Sequence, residues 1–170
     1  MVLGGKSQKY RRMYEYAIET AKDNLFFRPM TKGNQDILIS GKVNIPLPKN
    51  IELDPEGQHL SCYIGGMMGL GAKIFDRPDD LVVGQKLLNG CLWAYRSTPS
   101  GLMPEVFRTI PCEDPTDCDW DESTWHRAVA SRHPEISNLD FRGDAAATTI
   151  SDLNIFPGFA EISDRRYLLR

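Results

Sequence analysis

The densest concentration of chemistry-bearing residues in this 170-residue chain is His59-Leu60-Ser61-Cys62-Tyr63-Ile64-Gly65-Gly66-Met67-Met68-Gly69-Leu70-Gly71-Ala72. A histidine, a cysteine and four glycines stand there inside a stretch that otherwise reads as one helix. Glycine in a helix interior costs roughly 1 kcal/mol relative to alanine. Four of them in one segment therefore imply that something approaches that backbone closely. A second stretch, Thr98-Pro99-Ser100-Gly101-Leu102-Met103-Pro104-Glu105, is a loop that holds a single carboxylate. Taken by itself, Glu105 reads as a solvated loop residue.

Two further sets contain metal-capable side chains. Asp117, Asp119 and Asp121 alternate like the opening of a calcium loop. Glu122 stands where the sharp-turn glycine belongs, however, and Ala128 where the bidentate glutamate belongs, so the pattern argues against calcium there. Cys112, Cys118, His126 and His133 bring together four zinc-capable donors. Their spacings are loose for a finger, and a local disulfide between Cys112 and Cys118 is the simpler reading.

These residues have to be positioned by the elements around them. Over residues 9–25, Tyr10, Met13, Tyr14, Ala17, Ile18, Ala21 and Leu25 follow the i, i+3, i+4, i+7 spacing of an amphipathic helix whose apolar stripe faces a core. Pro29 ends it, because proline disfavours helical geometry in the residue before it. Between residues 33 and 57 the pattern changes to Ile37-Leu38-Ile39, Val43, Ile45, Leu47 and Ile51, interrupted by Pro46, Pro48 and Pro55. This reads as short extended segments or a β-hairpin on a loop, the kind of connection that often carries a recognition surface.

The glycine-rich stretch predicts a helix over 59–75, then a turn at Asp76-Arg77-Pro78-Asp79, then a second helix with Asp79 or Asp80 as its N-cap. Leu81, Val82, Leu87, Leu88, Cys91, Leu92 and Tyr95 supply the apolar face of that second helix. So short a link makes the two helices antiparallel. Cys62 lies 14 residues before Asp76 and Cys91 lies 12 after Asp79; at about 1.5 Å per residue both stand roughly 20 Å from the turn. The two cysteines should face each other across the hairpin within bridging distance. A disulfide closing a loop of about 30 residues contributes on the order of 3 to 4 kcal/mol in the chain-entropy picture. Farther on, residues 125–132 read as one short helix and residues 138–158 as irregular chain. The sequence stops on Leu168-Leu169-Arg170 without a capping residue, which reads as a cut.

Composition narrows the functional classes. Hydrophobic residues make up 41% and charged residues 25%, ordinary for one globular domain with one core. A net charge of −3 leaves no basic stripe for a phosphate backbone, so nucleic acid is excluded as the expected partner. No apolar run approaches the roughly 18 residues of a membrane span, and the first residues lack the apolar core of a signal peptide. Four cysteines permit two disulfides.

With these residues placed, the chain resembles the class I α-mannosidases, glycoside hydrolase family 47, in their fungal branch. The likeness is carried first by His59-Leu60-x-Cys62-Tyr63-x-Gly65-Gly66 through Leu70-Gly71-Ala72. Gly101-Leu102-x-Pro104-Glu105 is similar to the family's Thr-Gly-Leu-x-Pro-Glu, with Ser100 in place of the threonine. Asp164-Arg165-Arg166-Tyr167-Leu168-Leu169-Arg170 is similar to the segment leading into Leu-Leu-Arg-Pro-Glu. Residues 14–30, ending in Phe27-Arg28-Pro29-Met30, resemble the helix that follows the family's Asp-Ser-x-Tyr-Glu-Tyr motif. The resemblance covers nearly the whole chain, although the family domain is more than twice as long.

The resemblance implies an all-α fold with a minor β-hairpin, a partial (α/α)7 barrel built of helical hairpins, of which residues 1–170 are an incomplete central portion. It implies inverting hydrolysis of terminal α-1,2-linked mannose in N-glycan processing, with a calcium ion at the barrel floor. Inversion needs an acid and a base about 6.5 to 9.5 Å apart, with room for one water. Residue by residue, Glu105 matches an acidic residue with a catalytic, proton-donor type role. His59 matches a histidine lining the cavity, where neutral imidazole can hydrogen-bond a sugar hydroxyl. Arg170 matches the arginine beside a catalytic glutamate. Cys62 and Cys91 match the family's disulfide pair, in agreement with the helix arithmetic.

The departures matter as much. The Asp-Ser-x-Tyr-Glu-Tyr motif would lie upstream of Gly4; Tyr14-Glu15-Tyr16 imitates its end within the following helix, with Arg11 where the aspartate would fall. The Pro-Glu after Arg170 and the calcium-binding threonine are not in this chain, so no metal ligand is assigned within it. The expectation is a portion of a secretory-pathway mannosidase of the endoplasmic reticulum or Golgi, or secreted, carrying no signal peptide in this chain. Its partner would be a high-mannose N-glycan, acted on by a monomer without a membrane segment in this chain. The 170-residue chain alone should be inactive and, with apolar helix faces unpaired, poorly soluble. A mannose-binding lectin without hydrolysis, or a helical interaction module unrelated to sugars, are the alternatives.

Overall fold

An antiparallel pair of helices, α2 (Tyr63–Phe75) and α3 (Pro78–Arg96), is the element on which the rest of the structure rests. The computed structural model describes residues 7–46, 51–98, 101–132 and 156–157. In chain order the elements are α1 (Gln8–Asn24), β1 (Phe26–Phe27), β2 (Ile39–Ser40), β3 (Lys42–Asn44), β4 (Glu52–Asp54), β5 (Glu56–Gln58), a 3₁₀ turn (His59–Cys62), α2, α3, β6 (Val106–Arg108), α4 (Glu122–Arg132) and β7 (Phe156–Pro157). The fold is mostly helical with small antiparallel sheets rather than all-α with one hairpin. The expected hairpin is β3 with β4, paired Lys42 to Asp54, Val43 to Leu53 and Asn44 to Glu52. Two more sheets, β1 with β2 and β5-β6-β7, stand beside it. Strands of two or three residues are too short for an alternation of apolar and polar residues to announce them.

The helices begin and end for local reasons. Asp76 closes α2 in the left-handed region at φ 55°, its N–H donating to Ala72 O; a short polar side chain tolerates that conformation better than most. Arg77, not Asp79 or Asp80, is the N-cap residue of α3, and Pro78 occupies its first turn, where the missing N–H costs nothing. Asp79 and Asp80 lie one step inside, where the positive end of the helix dipole favours carboxylates. The Asp80 carboxylate is spent on ion pairs with Arg77 and Lys22 and so does not cap. The stretch expected to be helical from His59 begins instead as a 3₁₀ turn, because β5 runs into it without a linker.

Helix α1 lies against α2: Ile18 packs with Met68 and Leu87, and the Tyr14 and Phe75 rings meet at a tilt of 36° with centroids 4.9 Å apart. The stripe expected to be core-facing along the whole helix is so only in part. Ile18 is buried, while Tyr10 and Met13 at the amino-terminal end are exposed, because the α1 contacts run out where α2 stops at Phe75. A second cluster joins Phe27, Ile37, Ile39, Trp93, Ala94 and Phe107 between the sheets and the end of α3. A third, Met30, Cys118 and Trp125, seats α4 on the loop before it. Asp121 caps α4 by accepting from the Ser123 backbone N–H at 2.9 Å and the Thr124 hydroxyl at 2.5 Å. The expected helix over 125–132 thus starts a turn earlier, at Glu122.

Candidate functional site

Strands β5 and β6 bring the two predicted site residues together. Their register pairs Glu56 with Arg108, Gly57 with Phe107 and Gln58 with Val106. The next step is the His59 N–H donating to the Glu105 carbonyl at 2.9 Å, so His59 stands directly across the ladder from Glu105. With side chains alternating across a strand, His59 and Glu105 belong to the side on which Phe107 packs against Trp93 and Ala94 of α3. Both residues are exposed at the end of the ladder.

The last turn of α3 closes this corner from below. Tyr95 places its hydroxyl 2.6 Å from His59 Nε2, with the two rings edge to face at 5.8 Å. Below Tyr95, the Thr98 hydroxyl lies 3.0 Å from the Tyr95 carbonyl and 2.8 Å from the Leu102 carbonyl, tying the helix end to the loop that leads to Glu105. The Cys62–Cys91 disulfide predicted from the helix arithmetic is present, with Cα atoms 5.7 Å apart. It sits three residues after His59 and four before Tyr95, and so clamps both. The Met103 sulfur packs 3.8 Å from the Cys62 sulfur.

The glycines divide by face. Gly65 of α2 and Gly84 of α3 face each other: a Cβ at Gly65 would lie 3.1 Å from Gly84 O, and one at Gly84 3.0 Å from Gly65 O. A Cβ at Gly71 would overlap the Tyr14 hydroxyl, whereas one at Gly66 would meet nothing within 4 Å. Close helix packing accounts for Gly65 and Gly71, and open space lies over Gly66.

On the other side of the sheet, Arg108 and Glu56 form a buried pair at 2.7 Å, and Asp54, Lys42 and Gln58 complete the network. Burial alone would raise the Glu56 carboxyl, but hydrogen bonds from Lys42 and Gln58 and the charges of Lys42 and Arg108 hold it below the usual range. This network fixes the β5-β6 register from behind, and with it the placing of His59 opposite Glu105.

Other expectations resolve as follows. Cys112 and Cys118 are bonded to each other, with Cα atoms 5.4 Å apart, so neither thiolate can serve a zinc ion. Asp121 is engaged as a helix cap, and Asp119 accepts from Asn34 at 3.1 Å. Among the described residues, no group of three His, Cys, Asp or Glu side chains could hold a metal ion, and no helix is long and apolar enough to cross a membrane. Arg170 lies outside the described residues. Tyr95 and the Glu56 network were not singled out from the sequence. For Tyr95 a signal existed, since a bridge between Cys62 and Cys91 on antiparallel helices places residue 95 beside residue 59.

The model of the Glycosyl hydrolase family 47 matches residues 1–170. The chain belongs to that family. Among relatives within it, the probable mannosyl-oligosaccharide α-1,2-mannosidase 1B of Aspergillus fumigatus is 31% identical over 108 residues, covering 61% of this chain and 20% of the relative. The mannosyl-oligosaccharide α-1,2-mannosidase 1B of Emericella nidulans is 32% identical over 102 residues, covering 60% and 19%. The solved α-1,2-mannosidase from Trichoderma reesei superposes with a TM-score of 0.52 at 20% identity, over 60% of this chain and 20% of that one. The matched part of the chain thus spans about a fifth of the length of these family 47 relatives.

Proposed function

We propose that residues 1–170 are a central portion of a family 47 catalytic domain, and that the whole protein is a mannosyl-oligosaccharide α-1,2-mannosidase working as a monomer on high-mannose N-glycans. The observation that carries this reading is the juxtaposition of His59 and Glu105 across one ladder bond of 2.9 Å, at an exposed end of the β5-β6 sheet. In this reading Glu105 is the proton donor to the departing glycosidic oxygen, and His59 holds a sugar hydroxyl. Arg170 is read as flanking the second carboxylate, which an inverting reaction needs about 6.5 to 9.5 Å away, across one water. The α2-α3 hairpin is read as one wall of an (α/α)7 barrel, which fits its tightly apposed inner face and its apolar outer face. Two disulfides support an oxidising compartment such as the secretory pathway. Calcium belongs to this proposal for the whole domain only, and no residue of this chain is assigned to it.

The deciding experiment measures mannose released from a high-mannose N-glycan by the complete protein and by the 170-residue chain. The complete protein should release α-1,2-linked mannose, and Glu105→Gln should lower kcat about 100-fold or more, as loss of a general acid does. The isolated chain should release none. Glycan binding by the complete protein without release would favour a lectin, and full activity in the Glu105→Gln variant would remove Glu105 from the mechanism.

A further inference from the structure

His59 and Tyr95 form a pair whose hydrogen-bond direction determines what the imidazole can offer a ligand. The neutral ring has one N–H and one bare nitrogen, and the partner of one nitrogen selects the role of the other. Tyr95 Oη lies 2.6 Å from His59 Nε2, a separation typical of a strong hydrogen bond involving a hydroxyl. Of the two groups, the phenol is the more acidic and the imidazole nitrogen the stronger base, so the proton that lies between them comes from the phenol. No second protein partner of either ring stands among the hydrogen bonds of the described residues.

We propose that Tyr95 is a positioning residue: its hydroxyl donates to His59 Nε2, fixes the imidazole as the Nδ1–H tautomer, and makes His59 a hydrogen-bond donor toward the hydroxyl oxygens of a sugar. The proposal rests on the reading of His59 as a sugar-facing residue and adds the residue that sets its chemistry. Three observations make the pair rigid enough for the role, two at Tyr95 and one at His59. Tyr95 follows Cys91 by one helical turn, and Cys91 is bonded to Cys62, one 3₁₀ turn beyond His59. Its carbonyl accepts from Thr98, whose hydroxyl also holds Leu102 O. The His59 backbone is itself fixed on Glu105. The donor Nδ1–H then stands beside the Glu105 carboxyl, its neighbour across the ladder, so that His59 can hold a sugar hydroxyl oxygen next to the group that serves the departing glycosidic oxygen.

Long-range proton–nitrogen NMR on the complete protein, ¹⁵N-labelled at histidine, at a pH where imidazole is neutral, reads the tautomer directly. His59→Gln assigns the His59 signals by their loss. The expected spectrum has Nδ1 of His59 protonated and Nε2 bare, and Tyr95→Phe should shift protonation toward Nε2, the tautomer usual for unconstrained histidine. Nε2 protonated in the unsubstituted protein, or a pattern unchanged by Tyr95→Phe in a protein that keeps its dispersed spectrum, overturns the proposal. Should Tyr95→Phe fail to fold, the tautomer of the unsubstituted protein decides alone. No glycan enters the measurement, so failure of the mannosidase assay and failure of the tautomer assignment are separate results.

Discussion

Asp80 shows how a single charge can hold three helices in register. It is 1% exposed and paired with Arg77, at the turn between α2 and α3, and with Lys22 of α1; Glu19 of α1 also reaches Arg77. Burial by itself would raise the Asp80 carboxyl, but the hydrogen bonds from Arg77 and Lys22, reinforced by their charges, bring it below its ordinary value of 3.8. A carboxylate depressed in the folded state stabilises fully above its unfolded value and loses that contribution as pH falls through the folded one. Asp80→Asn should therefore cost on the order of 3 kcal/mol at pH 7, where it strands two partly buried cations. The gap between variant and parent should narrow steadily below about pH 4, as the parent's own carboxylate is neutralised. Urea melts of both proteins at pH 7 and pH 3 check this; a gap of equal size at both would mean that the charge of Asp80 is irrelevant.

At the scale of elements, the α2-α3 crossing separates two kinds of glycine that look alike in the sequence. Alanine at Gly66 would meet nothing and should gain up to about 1 kcal/mol from helix propensity. Alanine at Gly84 gains the same propensity, but its Cβ would fall 3.0 Å from Gly65 O, 3.3 Å from Gly69 N and 3.3 Å from Met68 Cβ. The first two are backbone atoms that cannot rotate away, and overpacking of this kind costs about 1 to 3 kcal/mol. Gly66→Ala should raise the thermal midpoint and Gly84→Ala should lower it, in the same calorimeter and buffer. Both variants moving in the same direction would contradict the crossing. The limits of sequence reading lie here too. Periodicity and rise per residue were enough for α1, the α2-α3 hairpin and the Cys62–Cys91 bridge, because those follow from repeats of 3.6 residues and 1.5 Å. The pairing of Glu56 with Arg108, across 52 residues and on strands of three, leaves no such repeat, and neither did the cap of α3, where Pro78 displaced the aspartates. His59 and Glu105 were singled out through family motifs, whereas the backbone bond that sets them opposite each other depends on the β5-β6 register, which is a long-range property.

For the molecule as a whole, the telling feature is what the outer face of α2 leaves open. Tyr63, Met67, Leu70 and Ile74 of α2 are all exposed, and so is Leu60 of the 3₁₀ turn that leads into it, Tyr63 at 83% and Leu60 at 75%. Their spacing alternates three and four residues, the spacing of a seam that packs against another helix. Leu81, Leu88 and Leu92 of α3 are exposed as well. A contiguous apolar stripe of this length is unusual on a monomeric surface, and the matched part of the chain corresponds to only about a fifth of the length of its relatives. An isolated 170-residue chain should cover the stripe by association. Sedimentation over a range of concentrations should show its average mass rising with concentration. Met67→Lys combined with Leu70→Lys should shift the mass toward that of the monomer. The double variant should also keep its thermal midpoint within a few degrees, since both side chains are substantially exposed and surface changes away from buried features are usually within about 0.5 kcal/mol. A wild-type chain that stays monomeric at every concentration, or a double variant that unfolds, would show that the stripe is already satisfied within this chain. Association lost with stability retained would mark the outer face of α2 as a surface whose packing partner lies beyond the described elements.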